Sequence, residues 1–148
     1  AGGLRGTARF GSDTFVTGGT PMPLNMGGFG NRRATPKVVT APQPALYDYW
    51  REGEAFSYAL PLPDGKWTVT VHTFEPRPAA PDSQTMAISA GGRQVVPPFN
   101  VKAAAGGALR GMTRSFPVTV KGGVLKLDFT GAGGKAVVAA IEVMPAGQ

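Results

Sequence analysis

Side-chain catalysis needs a nucleophile with a base, or a pair of carboxylates, and this 148-residue sequence is sparing with all of them. It has no cysteine, which removes thiolate nucleophiles, disulfide frameworks and Cys-based zinc sites together. Its single histidine, His72, stands among threonines in a strand-like run, and no Ser-His-Asp arrangement can be drawn around it. Glycoside chemistry needs two carboxylates held across a bond. Glu75 sits at a strand end, where such groups emerge, and Asp128 and Glu142 lie in other strands, but no spacing brings a pair together. Gly131-Ala132-Gly133-Gly134-Lys135 resembles part of a phosphate loop. However, Phe129 takes the place of its first glycine and Ala136 that of its Ser/Thr. The run also leads into a β-like segment where a helix N-terminus would be needed, so it reads as a hairpin turn. No catalytic residue, no cofactor and no metal is expected.

The residues best suited to recognition are Leu46-Tyr47-Asp48-Tyr49-Trp50-Arg51. Tyr47, Tyr49 and Trp50 are three of the thirteen aromatics, and they fall within four residues beside an acid and a guanidinium. Saccharides present apolar C–H faces and rims of hydroxyls, which flat rings with polar tips and planar charged groups match. Tyr and Trp are also highly buried on average, so one or two of these rings are expected in the core and the others at a site. Asn25-Met26-Gly27-Gly28-Phe29-Gly30-Asn31-Arg32-Arg33 looks like an Arg/Gly nucleic-acid tract, but one copy with one aromatic makes no stacking platform.

The net charge is +6, from nine Arg and six Lys that are scattered apart from Arg32-Arg33. A dispersed excess favours solubility and attracts anions without making the stripe that nucleic acid requires. No run approaches a membrane span. The chain opens on Ala1-Gly2-Gly3, not on a basic segment followed by an apolar one. The expectation is one domain over residues 1–148, a fragment of a larger multidomain protein, without nucleic-acid or membrane partners.

Gly (22) and Pro (14) make about a quarter of the chain and alternate with apolar runs, which marks them as turn punctuation in an all-β fold. Phe56, Tyr58 and Leu60 alternate with small residues; Pro63-Asp64-Gly65 turns; Trp67, Val69 and Val71 then alternate with Thr68, Thr70 and His72, which predicts a hairpin. Met86 and Ile88 turn through Gly91-Gly92 into Val95-Val96. Phe116, Val118 and Val120 turn through Gly122-Gly123 into Leu125, Leu127 and Phe129, a second predicted hairpin. Val137 to Val143 reads as one central, doubly buried strand. Gly18 to Pro44 reads as a long excursion without strands, either a functional loop or a structural one. Short strands with frequent turns imply a two-sheet antiparallel β-sandwich.

Taken in order, these pieces resemble the malectin and malectin-like family over nearly the full length. The carrying segments are Ala1-Gly2-Gly3; Asp13, Phe15 and Gly18-Gly19; Tyr47 through Arg51 before Phe56-Ser57-Tyr58; and Pro61-Leu62-Pro63-Asp64-Gly65-Lys66-Trp67-Thr68-Val69-Thr70-Val71-His72-Thr73-Phe74-Glu75. Ala105-Gly106-Gly107, Phe116 to Val120 and Ala139-Ala140-Ile141-Glu142-Val143 follow in place. Three departures stand out. Phe74 falls one place late, with Thr73 where the family has Phe. Pro76-Arg77-Pro78 replaces an aromatic pair, and Gly131 to Gly134 replaces an aspartate before the last strand.

The resemblance implies a jelly-roll-like sandwich whose end loops bind glycan without catalysis. The implied setting is a periplasmic or extracellular bacterial protein, often a glycoside hydrolase. Tyr47, Tyr49 and Trp50 would stack on sugar, while Asp48, Arg51, Asn25 and Glu75 would meet hydroxyls or carboxylates. The partners expected are an oligosaccharide or polysaccharide, anionic by the charge balance, and the catalytic domain of a parent polysaccharide-degrading enzyme. The alternative is a structural accessory sandwich that packs on such a domain and binds no sugar.

Overall fold

The computed structural model describes residues 13–24 and 38–146. Among the described residues, nine strands form two antiparallel sheets. The larger sheet contains β1 (Val16–Pro23), β2 (Tyr49–Pro61), β4 (Thr85–Ala90), β5 (Arg93–Phe99), β7 (Val124–Ala132) and the short β8 (Ala136–Val138). Its order is β1-β2-β7-β4-β5, with β8 also paired to β2. The smaller sheet has the order β6-β3-β9, from β6 (Met112–Val120), β3 (Gly65–Thr73) and β9 (Ala140–Pro145). This is the two-sheet sandwich that the turn spacing predicts, in the jelly-roll-like form that the resemblance implies.

Alternation places the core. In β2 the buried residues are Trp50, Glu52, Phe56 and Tyr58, all of one parity. Val69, Val71 and Thr73 of β3 and Phe116, Val118 and Val120 of β6 face them from the other sheet. Phe56 stacks on Phe129 at 5.2 Å, and Tyr58 meets the same ring edge-on at 6.0 Å. A second apolar cluster closes one end: Val39, Leu46, Tyr47, Trp50, Phe74 and Val137 pack there.

The structure differs from the sequence reading in five places. The runs on either side of Pro63-Asp64-Gly65 are not a hairpin, because β2 pairs with β1, β7 and β8, whereas β3 pairs with β6 and β9. The chain crosses from one sheet to the other at that turn. It crosses back at Gly122-Gly123, between β6 and β7, so the second predicted hairpin is also a crossing. The two crossings lie side by side: Leu62 N donates to Gly123 O at 3.1 Å, and Gly123 N to Asp64 Oδ1 at 2.8 Å. Two strands that face each other across a core show the same alternation as two neighbours in a sheet, so pattern alone cannot separate these arrangements. Among the predicted turns, Gly91-Gly92, with φ of 60° and 83°, joins two neighbours of one sheet, β4 and β5, as a true hairpin.

The apolar run from Val137 to Val143 is not one central strand. It divides at Ala139 into β8, in the larger sheet, and β9, at an edge of the smaller. Gly131 to Gly134 is not a hairpin turn either. Strands β7 and β8 both run antiparallel along the same side of β2, Thr130 opposite Ala55 and Ala136 opposite Gly53; Gly131 still pairs with Met86 of β4, and Gly133 to Lys135 connect the two strands. Finally, Val16–Pro23 is a strand despite Gly18-Gly19, which the sequence reading places at the start of an excursion without strands. A five-residue helix α1 (Val101–Ala105), capped by the Asn100 side chain on Ala103 N and stopped by Gly106 at φ 84°, lies between β5 and β6.

A buried carboxylate cluster at the loop end

The start of β2, the end of β3 and the loop between β7 and β8 meet at one end of the sandwich. Glu52 lies in the inward parity of β2 and is 1% exposed. An ionised carboxylate there must be paired, and it is. Trp50 Nε1 donates to Glu52 Oε1 at 2.8 Å; Arg77 Nη2 reaches both carboxylate oxygens, at 2.9 and 2.8 Å; and Lys135 Nζ lies 3.2 Å from Oε2. Burial pushes the Glu52 carboxyl up, but the hydrogen bonds from Trp50, Arg77 and Lys135 outweigh it and hold the pKa below the usual value.

Glu75, just past β3, is 2% exposed and accepts from Arg77 N at 2.9 Å and from Gln84 Nε2 at 2.7 Å. Here burial prevails and the pKa is raised, with the neighbouring Glu52 charge adding to the effect. Two buried carboxylates with opposite shifts are what acid–base catalysis often uses. In this cluster, however, every carboxylate oxygen is occupied by a protein donor, and neither side chain reaches solvent. The carboxylates act as anchors. What they hold at the surface are the side chains of Arg77 and Lys135, 46% and 54% exposed. Arg77 retains donors that Glu52 does not use.

The Tyr47–Arg51 element is not brought together as one saccharide platform. Tyr47 is buried and meets Phe74 edge-on at 5.4 Å; burial raises its pKa, and its hydroxyl lies 3.5 Å from His72 Nδ1. Trp50 is buried against the same phenyl ring at 5.2 Å. A stacking role for either ring is therefore replaced by a core role, because strand parity turns Trp50 inward with Glu52. Arg51 is consumed: Nε and Nη2 hold Asp13 Oδ2 at 2.9 and 2.8 Å, while Nη1 donates to the Gly18 and Gly19 carbonyls. Glu75 is buried beneath Arg77 and does not face a ligand directly. Asp48 and Tyr49 remain on the surface, Tyr49 at 41% exposure. Asn25 lies outside the described residues. His72 sits between Tyr47 and Glu142, whose Oε1 is 3.1 Å from Nε2.

Sequence reasoning missed Glu52, Arg77, Gln84 and Lys135. A signal was present: Arg77 and Lys135 sit in, or directly beside, two of the three segments that depart from the family pattern.

A family model for the malectin domain matches residues 6–147. The chain belongs to the malectin domain family. No curated protein matches it as a relative. Among solved structures, the extracellular domain of ANXUR1 from Arabidopsis thaliana superposes with a TM-score of 0.68 at 12% identity, covering 87% of this chain and 39% of that one. The complex of the plant peptide RALF23 with FER and LLG2 gives 0.67 at 13% identity, covering 87% and 40%. Bacteroides uniformis β-glucuronidase 2, bound to cyclophellitol-6-carboxylate aziridine, gives 0.66 at 15% identity, covering 91% and 14%. The chain thus spans about a seventh of that enzyme and about two fifths of the plant proteins. At these identities the likeness establishes the shared malectin-like sandwich. Malectin-like domains serve as carbohydrate-binding or accessory modules and are generally non-catalytic.

Proposed function

We propose that this malectin domain is a non-catalytic glycan-binding module that directs a linked polysaccharide-degrading enzyme, periplasmic or extracellular, to its substrate. The observation that carries the reading is the convergence of Arg77 and Lys135 on Glu52 at the loop end. Arg77 belongs to the loop that carries the family's aromatic pair, and Lys135 directly follows the segment that carries its aspartate. A guanidinium pinned by two hydrogen bonds to a buried carboxylate is pre-organised, so little rotamer entropy is lost when its free donors meet sugar hydroxyls or a uronate carboxylate. Tyr49, in the same strand as Glu52, supplies an exposed ring. A domain of this fold within a β-glucuronidase supports the enzyme-linked setting.

The test is calorimetric titration of neutral and uronate-containing oligosaccharides into the domain and its Lys135→Ala and Arg77→Lys variants. Saturable binding, weakened about tenfold in each variant, supports the reading; absence of binding across the panel rejects it. The burial of Tyr47 and Trp50 and the commitment of Arg51 to Asp13 favour a second reading, an accessory sandwich that packs on a catalytic domain. It predicts no saccharide binding, together with measurable affinity of the separate domain for the catalytic partner.

A further inference from the structure

The edge strand of each sheet on one side of the sandwich, β5 and β6, bounds a groove of about 870 Å³, within the range of roughly 300–1,000 Å³ typical of ligand sites. It lies at the end where the chain crosses between sheets. The run of β2 from Glu52 to Pro61 separates it from the carboxylate cluster by about 30 Å of strand. Lys66, Arg93, Lys121 and Lys126 line it, all exposed, and its lining includes no acidic residue. Lys126 is 62% exposed and stands 3.9 Å from Asp128, beyond hydrogen-bond reach. The floor is apolar, with buried Phe116 and the half-buried indole of Trp67, which Nε1 fixes on the Pro63 carbonyl at 3.0 Å.

Four like charges around one cleft concentrate a positive potential that an anionic ligand relieves. The edges discourage an extended peptide. Pro97 and Pro98 in β5 and Pro117 in β6 carry no N–H, so neither edge offers a continuous ladder for an added strand. A ligand recognised by carboxylates and apolar ring faces fits better. We propose that this groove is a second binding site and that its ligand is a carboxylate-bearing oligosaccharide, its sugar rings against Trp67 and its carboxylates at the four cations. The glycan class rests on the function proposed above; the existence of a second, anion-selective site does not.

The experiment titrates the full chain with a linear galacturonate hexamer, the corresponding neutral hexamer and hexaglutamate, at about 0.05 M and about 0.5 M NaCl. Two variants are compared. One reverses exposed groove charges (Arg93→Glu, Lys121→Glu, Lys126→Glu); the other alters the loop end (Arg77→Lys, Lys135→Ala). The expected result is galacturonate binding at two sites: a groove site whose affinity falls steeply with salt, weakens about tenfold or more in the groove variant and stays within about twofold in the loop-end variant, and the loop-end site, which responds to the two variants in the opposite sense. Hexaglutamate binding as tightly as galacturonate would overturn the proposal in favour of an acidic polypeptide. So would galacturonate affinity that is absent or indifferent to the groove reversal. Loss confined to the loop-end variant would overturn the groove while leaving the proposed function standing. Groove-dependent galacturonate binding, with no saccharide affected by the loop-end variant, would do the reverse.

Discussion

Glu52 is a charge placed where strand parity calls for an apolar side chain, and its three donors decide what happens when each is removed. Arg77→Ala leaves a carboxylate that is 1% exposed with only Lys135 and the Trp50 indole for company. The variant is expected to lose about 2–4 kcal/mol of stability in urea unfolding. Lys135→Ala removes a more exposed and more distant cation, and about 1 kcal/mol or less is expected. Equal losses would show that the contact of Arg77 Nη2 with both carboxylate oxygens carries no special weight. Glu75 behaves oppositely. Its raised pKa means that the native state holds a proton more tightly than the unfolded chain, so its contribution to stability is greatest at acid pH. That contribution falls as pH rises from the unfolded value, near 4.5, through the folded one. Glu75→Gln removes this dependence, and a flip of the Gln84 amide preserves the hydrogen bond. The variant is therefore expected to be more stable than wild type at pH 7, with the difference vanishing below about pH 4. A constant difference across that range would contradict the assignment.

At the scale of the elements, the loop between β7 and β8 is built on close approach. A Cβ on Gly131 would lie 2.6 Å from both Ala136 N and Gly134 O, backbone atoms that cannot step aside. Gly131→Ala is thus expected to cost about 1–3 kcal/mol and to displace Lys135, with loss of any Lys135-dependent ligand affinity measured by titration. Unchanged stability would mean that the loop is looser than its packing indicates. The elements also show what could be read from the sequence. Period-two runs located most of the strands, and the Gly91-Gly92 hairpin was legible because its turn type needs positive φ at both residues. Sheet membership was not legible. Phe56-Tyr58-Leu60 and Val69-Val71 point into one core whether the strands are neighbours or face each other, and nothing local at Asp64 distinguishes the two. The same degeneracy hid the break at Ala139, where every residue from Ala136 to Ala140 is buried. At the site, the Tyr-x-Tyr-Trp cluster drew attention by composition, whereas alternation along β2 and the long-range partner Asp13 decided which side chains remained free. The Glu52–Arg77–Lys135 contacts span 25 residues or more of sequence, and only the folded sandwich brings them together.

Over the whole molecule, the sandwich presents chemically different ends. One holds buried acids beneath Arg77 and Lys135; the other opens a groove rimmed by lysines and an arginine. Among the described residues the cations are therefore arranged as well as carried. The most direct test of the glycan-binding account is NMR mapping of backbone and Arg Nε shifts as the best-binding oligosaccharide is titrated into the isotope-labelled domain. The account predicts a saturable set of perturbations at Arg77, Gln84 and Lys135, separate from any in the groove, with the Arg77 Nε resonance among those that move. A titration to millimolar saccharide that leaves those resonances in place would contradict it.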